Sequence, residues 1–227
     1  CGNCHTPLGP DGPAMDMALA GRLVEQSEAM TAIAPNITPA GAVGGWSDAE
    51  LSRAIREGIR PDGSVIGPPM PMLLYRGLSD DDLASIVMYL RQVPAVANDP
   101  GTSTYAFPLP PAWGPPVGTV AAIAPGVTVE YGAYLAGPVA HCMECHTTFG
   151  PEGPMFGTHL GAGGMQFHGP WGVVVAPNIT SGPEGIGAYS DAELAAMITQ
   201  GVRPDGSAML PPMPYGHFAR MTAEDLA

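Results

Sequence analysis

Apolar positions in this chain fall into short helical stripes separated by long glycine- and proline-rich stretches. Leu51, Ala54 and Ile55 have helical spacing, follow an S-x-x-E capping box made by Ser47 and Glu50, and stop at Gly58. Leu83, Ile86, Val87 and Leu90 repeat at i, i+3, i+4 and i+7 behind the cap Ser79-Asp80-Asp81-Asp82, and Pro94 ends that helix. A second capping box, Ser190 with Glu193, opens another helix. A further one is predicted over Val129 to Leu135, and Thr222-Ala223-Glu224-Asp225 caps a last one. Strand-like alternation is absent apart from a short apolar run at Val173 to Val175. From Pro94 to Pro125 there are eight prolines, which exclude helix and favour extended, semi-rigid chain. Tyr105, Phe107 and Trp113 within that stretch predict packing on a surface. The pattern predicts an all-α protein.

The pattern also repeats. Ala34-Pro35-Asn36-Ile37-Thr38 returns as Ala176-Pro177-Asn178-Ile179-Thr180, and Trp46-Ser47-Asp48-Ala49-Glu50-Leu51 as Tyr189-Ser190-Asp191-Ala192-Glu193-Leu194. Gly58 to Ser64 returns as Gly201 to Ser207, and Pro68-Pro69-Met70-Pro71 as Pro211-Pro212-Met213-Pro214. The offset stays within 141 to 143 residues throughout, which means a duplicated domain rather than a repeat array. The expected division is a first domain over 1–95, a proline-rich linker over 96–126 and a second domain over 127–227.

Charge narrows the function classes. The net charge of −13, from 21 acidic and 8 basic residues, argues against nucleic acid as a partner. It suits either a surface steered toward basic partners or an ordinary acidic one. Charged residues make up only 13% of the chain, while Gly (31) and Pro (27) are abundant. That balance suits a fold in which an apolar cofactor supplies part of each core. No stretch reaches the ~18 apolar residues of a membrane span.

All four cysteines lie in two C-x-x-C-H motifs, Cys1-Gly2-Asn3-Cys4-His5 and Cys142-Met143-Glu144-Cys145-His146. This is the mark of covalent haem c attachment. One helical turn presents both sulfurs to the two vinyl groups of a porphyrin, and the adjacent His reaches the iron. Zinc pairs usually lie far closer than the 137 residues between Cys4 and Cys142. A thioredoxin-like pair wants a βαβ context, and bridges within one turn staple little. Two covalently bound haem c groups are therefore expected, on Cys1, Cys4 and His5 and on Cys142, Cys145 and His146.

C-x-x-C-H, then P-N-I-T, [WY]-S-D-A-E-L, R-P-D-G-S, P-P-M-P and a capped final helix resemble the bacterial dihaem and trihaem cytochromes c. Those serve as electron-accepting subunits of membrane-associated dehydrogenases. The resemblance covers nearly the whole chain outside the linker. It implies two tandem class I cytochrome c domains with His/Met ligation, and attachment of haem outside the cytoplasmic membrane. A periplasmic or cell-surface location follows from that, with any signal sequence removed or lying outside this chain. It also implies that a proline carbonyl orients each proximal His, a role that Pro35 and Pro177 match by position, although an ordinary loop proline fits them as well.

The residues give the same sixth ligands. A Met thioether favours ferrous iron, and Met70 and Met213 alone share a repeat position, held between prolines. Most of the 13 methionines are expected to fill core, and Met72 and Met209 are local rivals without counterparts. His141, His159, His168 and His217 all lie in the second half, which leaves the first without a second His ligand. They are read as surface or polar-contact residues. Arg60 and Arg203 are candidate propionate partners or solvated cations at helix ends.

In class I cytochromes the first and last helices pack together. Here the first half has no helix before Cys1, and the second ends just after its last cap. The sequence is thus expected to be a fragment of a longer chain, or else a neighbouring subunit completes each half.

No catalytic constellation stands out. The expected function is single-electron transfer between a donor, a dehydrogenase, and an acceptor such as another cytochrome or a terminal oxidase. Two other readings are a self-associating extracellular conducting filament and a dihaem peroxidase. The peroxidase needs an open distal position, which an equivalent Met at both sites opposes.

Overall fold

Two copies of one plan follow each other along the computed structural model, which describes every residue except Asp11 and Glu152. Packing divides the chain into units 1–122 and 123–227. The first unit opens with a single helical turn, α1 (Gly2–His5), and a minimal hairpin of β1 (Leu8–Gly9) and β2 (Gly12–Pro13). A longer hairpin follows, β3 (Arg22–Gln26) against β4 (Met30–Ala34), then α2 (Asp48–Glu57), α3 (Met72–Tyr75) and α4 (Asp80–Gln92). A last short strand, β5 (Thr104–Tyr105), returns to pair with β4.

Side-chain caps start the two main helices. The Ser47 hydroxyl accepts from the Glu50 N–H while Glu50 accepts from the Ser47 N–H, completing the capping box of α2. Ser79 accepts from the Asp82 N–H at the head of α4. Gly58 ends α2 in the left-handed conformation, φ 69°, where a β-carbon is disfavoured. The two helices then bury their stripes against each other: Leu51, Ile55, Leu83, Val87 and Leu90 join Leu19, Ile37, Val43 and Leu78 in one cluster. Fully burying such a side chain stabilises by about 1.5–3 kcal/mol. Arg91, in the last turn of α4, bonds the carbonyls of Val43 and Trp46 and pairs with Asp48, so the closing helix also fixes the entry to α2.

The second unit comprises α5 (Val129–Tyr134), α6 (Cys142–Cys145), the hairpin of β6 (Phe149–Gly150) and β7 (Gly153–Pro154), and the hairpin of β8 (Gln166–Gly169) and β9 (Gly172–Val175). After these come α7 (Asp191–Gln200), α8 (Tyr215–Phe218) and α9 (Ala223–Leu226). Its capping box, Ser190 with Glu193, is complete, and Gly201 ends α7 at φ 65°. Among the described residues its buried hydrophobic side chains are Tyr134 and Ala176.

The all-α expectation is overturned. Helix accounts for 32% of the chain and strand for 14%, the strand in several small sheets. Two-residue ladders are too short to show a period, and the three-stranded sheet is completed by β5 returning from far along the chain to pair with β4. The one apolar run the sequence marks, 173–175, lies in β9. The proline-rich stretch does not hang loose: residues up to 122 belong to the first unit.

Candidate functional site

Each C-x-x-C-H motif forms one helical turn, closed by the His5 N–H on the Cys1 carbonyl (2.9 Å) and by the His146 N–H on the Cys142 carbonyl (3.0 Å). None of the four cysteines is in a disulfide. The residue after each His is buried threonine. The Thr6 hydroxyl accepts from the Leu19 N–H at 3.1 Å, and the Thr147 hydroxyl from the Gly161 N–H at 3.3 Å.

A glycine then holds each His from behind. Gly21 N–H donates to the His5 carbonyl and Gly163 N–H to the His146 carbonyl, both at 2.7 Å. Both glycines have positive φ, 89° and 75°, and a β-carbon on either would lie within 2.7 Å of the P-N-I-T backbone. Only glycine permits that approach. These two occupy equivalent repeat positions, a signal present in the sequence but hidden among 31 glycines.

The imidazoles are oriented identically. Nδ1 of His5 donates to the Pro35 carbonyl, and Nδ1 of His146 to the Pro177 carbonyl, both at 2.8 Å. With the proton on Nδ1, the lone pair of Nε2 is left to bind a metal. Burial pushes the His5 pKa down to about 4, against the opposing pull of the Pro35 carbonyl, so its ring is neutral at pH 7, as a ligand must be. The P-N-I-T segment is itself braced. Asn36 accepts from the Thr38 N–H and Asn178 from the Thr180 N–H, and Asn36 also donates to the Val96 and Asn98 carbonyls.

Met70 and Met213 sit half-buried in matching turns, each after a cis Pro-Pro bond. Their carbonyls accept from the N–H groups of Met72 and Tyr215, which open α3 and α8. The rivals separate. Met72 is buried at 2% exposure and packs beside Gly58 and Trp113, the place Tyr215 takes beside Gly201. Met209 N–H bonds the Gly201 carbonyl just as Ile66 N–H bonds that of Gly58, so Met209 is the counterpart of Ile66. Arg60 and Arg203 each spend Nη1 on their own turn, on Ser64 and Val65 and on Ser207 and Ala208. The remaining histidines are engaged elsewhere or exposed: His141 heads the second attachment turn and pairs with its Glu144, His159 bonds Thr158, and His168 and His217 are exposed.

The donor set suits a macrocycle rather than a chelated ion. Among the described residues no three His, Cys, Asp or Glu side chains converge as a metal cage would need. Haem brings its own four equatorial nitrogens and asks the protein only for axial ligands and thiols. One oriented His beside two cysteines, built twice on the same frame, defines a site of the c-type cytochrome kind.

Comparison with known proteins agrees. No family model matches the chain. It is 31% identical to the cytochrome c subunit of quinone alcohol dehydrogenase from Gluconobacter oxydans, over 92% of this chain and 46% of that protein. It is also 31% identical to the fructose dehydrogenase cytochrome subunit of Gluconobacter japonicus, over 88% and 42%. A diheme cytochrome c-type protein of Cereibacter sphaeroides is 29% identical over 90% and 70%. The chain belongs to the bacterial cytochrome c family. It spans about half the length of the dehydrogenase subunits it matches. No helix among the described residues is long and apolar enough to cross a membrane.

Proposed function

We propose that the chain carries two haem c groups, one within 1–95 and one within 127–227, and relays electrons singly from a dehydrogenase to an acceptor such as another cytochrome or a terminal oxidase. The matched His5–Pro35 and His146–Pro177 pairs carry this reading, because they set the same open Nε2 beside each cysteine pair. Thioethers form at Cys1 and Cys4 and at Cys142 and Cys145. His5 and His146 are the proximal ligands, and Met70 and Met213 the sixth. When bound, haem supplies the ferric/ferrous couple. The protein holds both axial ligands on braced backbone, so little rearranges when charge changes. Relatives named as cytochrome subunits of alcohol, fructose and gluconate dehydrogenases support a dehydrogenase as donor. The net charge of −13 favours a basic docking face on a partner. Covalent haem attachment puts the protein in the periplasm or at the cell surface.

The test is an optical spectrum of the oxidised holoprotein with haem quantified per chain. Two haems, both contributing the weak far-red Met–Fe(III) charge-transfer band, are expected. One haem, or a high-spin five-coordinate haem, overturns the reading.

A further inference from the structure

We propose that the proline-rich segment Thr104–Val117 is a strap that clamps the Met70 turn and so holds the sixth ligand of the first haem in place. This rests on the His/Met reading above.

The strap is anchored at both ends. Met30 pairs with Tyr105 and Thr31 with Thr104 in the β4–β5 ladder, and the Ser103 hydroxyl bridges the N–H and carbonyl of Ile33. At the far end the Val117 N–H donates to Glu57, and Arg76 donates to the Pro115 carbonyl. Between these anchors it touches three consecutive residues leading to Met70. Trp113 Nε1 donates to the Ile66 carbonyl at 2.8 Å, and the Tyr105 hydroxyl to the Pro68 carbonyl at 2.9 Å. The Tyr105 ring lies so close over Gly67 that a β-carbon there would sit 2.3 Å from its Cζ. Since β4 runs directly into Pro35, one small sheet ties the His5 acceptor to the Met70 turn.

The second unit handles the same turn differently. Leu210 stands where the first has Gly67, and it is 48% exposed. The Leu210 carbonyl accepts from the Tyr215 hydroxyl at 3.3 Å, a bond made from within the same segment.

The consequence is measurable through an added ligand. Imidazole enters the sixth position only when Met leaves, so its apparent affinity rises with the fraction of open turn. The chain has no lysine, so no lysine amine competes for the iron. A neutral hydrogen bond contributes enough that removing one raises the open fraction roughly threefold to tenfold.

Ferric holoprotein is titrated with imidazole while the far-red band is followed. The first haem is identified as the one whose band disappears in Met70→Leu. Tyr105→Phe and Trp113→Phe should each tighten imidazole binding at that haem roughly threefold to tenfold and leave the other haem unchanged. Tyr131→Phe removes a tyrosine hydroxyl bond to Asp225 in α9 and is expected to leave the first site unchanged. Unchanged affinity at the first haem in both strap variants, with the wild-type band intact at two haems, overturns the strap. A wild-type protein lacking that band overturns the ligand reading itself, and the strap with it.

Discussion

The two units share a site frame and differ in how they bury it. Around the histidines they agree bond for bond: Thr6 and Thr147, Gly21 and Gly163, Pro35 and Pro177 make the same contacts at closely matching distances. Away from the histidines they part. In α2, Leu51 is 3% exposed, covered by the thirteen-residue α4. In α7, no residue is buried among the described residues. The contrast separates the contacts local to each histidine from those that bury α2.

The largest test of that separation is a pair of truncations at one repeat position. Leu51→Ala removes a buried side chain and is expected to cost about 2–5 kcal/mol. Leu194→Ala removes a half-exposed one and should cost a minor fraction of that. Denaturant unfolding, with separate signals from the two units, measures both. Equal losses would break the comparison and mean that α7 is covered as well as α2.

A smaller effect concerns charge beside the first site. Arg22 donates from Nη2 to the Asn3 carbonyl inside the attachment turn, and its buried Nε has no hydrogen-bond partner among the described residues. Its guanidinium also acts on His5 as a nearby positive charge. The matching position in the second unit is Gly164. A fixed cation disfavours ferric iron, so Arg22→Gly should lower one of the two midpoint potentials. At effective dielectric constants suited to such sites the change is on the order of 1 kcal/mol, somewhat under a tenfold shift in the reduction equilibrium. Redox titration followed optically separates the two haems. If both potentials move together, or neither does, Arg22 is not the source of electrostatic asymmetry.

Much of this was legible in the residues. The caps at Ser47, Ser79, Ser190 and Thr222 are local chemistry and read directly, as do the stripes of α2 and α4. The prolines beside each histidine are placed by the repeat and by family resemblance, and the structure puts their carbonyls within hydrogen-bond distance. What stayed hidden was non-local. Nothing in a two-residue strand has a period, so the sheets escaped an all-α reading. Gly21 is special only because Ala34 and Asn36 pass behind it. Tyr105 reads as generic packing until Pro68, 37 residues away in sequence, is seen to accept its hydroxyl. Arg22 stands out only against Gly164, its counterpart in the second unit.

The smallest expected effect is a pH dependence confined to the first unit. Asp80 heads α4, accepts from Arg56 at 2.7 Å and also takes the Val120 N–H. The Arg56 hydrogen bond, then that from Val120, holds its carboxyl below the usual carboxylate range. A group whose folded pKa is depressed contributes stability above its unfolded pKa and loses it as pH falls through the folded value. Asp80→Asn should therefore lower the melting temperature of the first unit at pH 7. The gap from wild type should narrow as pH drops below about 4, the unfolded carboxylate value. Since Asp80 is substantially exposed, solvent keeps the effect small. In the second unit the pair is replaced by Thr199 and Ala223, and no such dependence is expected there. Melting curves of wild type and variant from pH 3 to pH 7, resolved by unit, decide it. A constant gap across that range would mean that Arg56 depends on the Leu78 carbonyl rather than on the charge of Asp80.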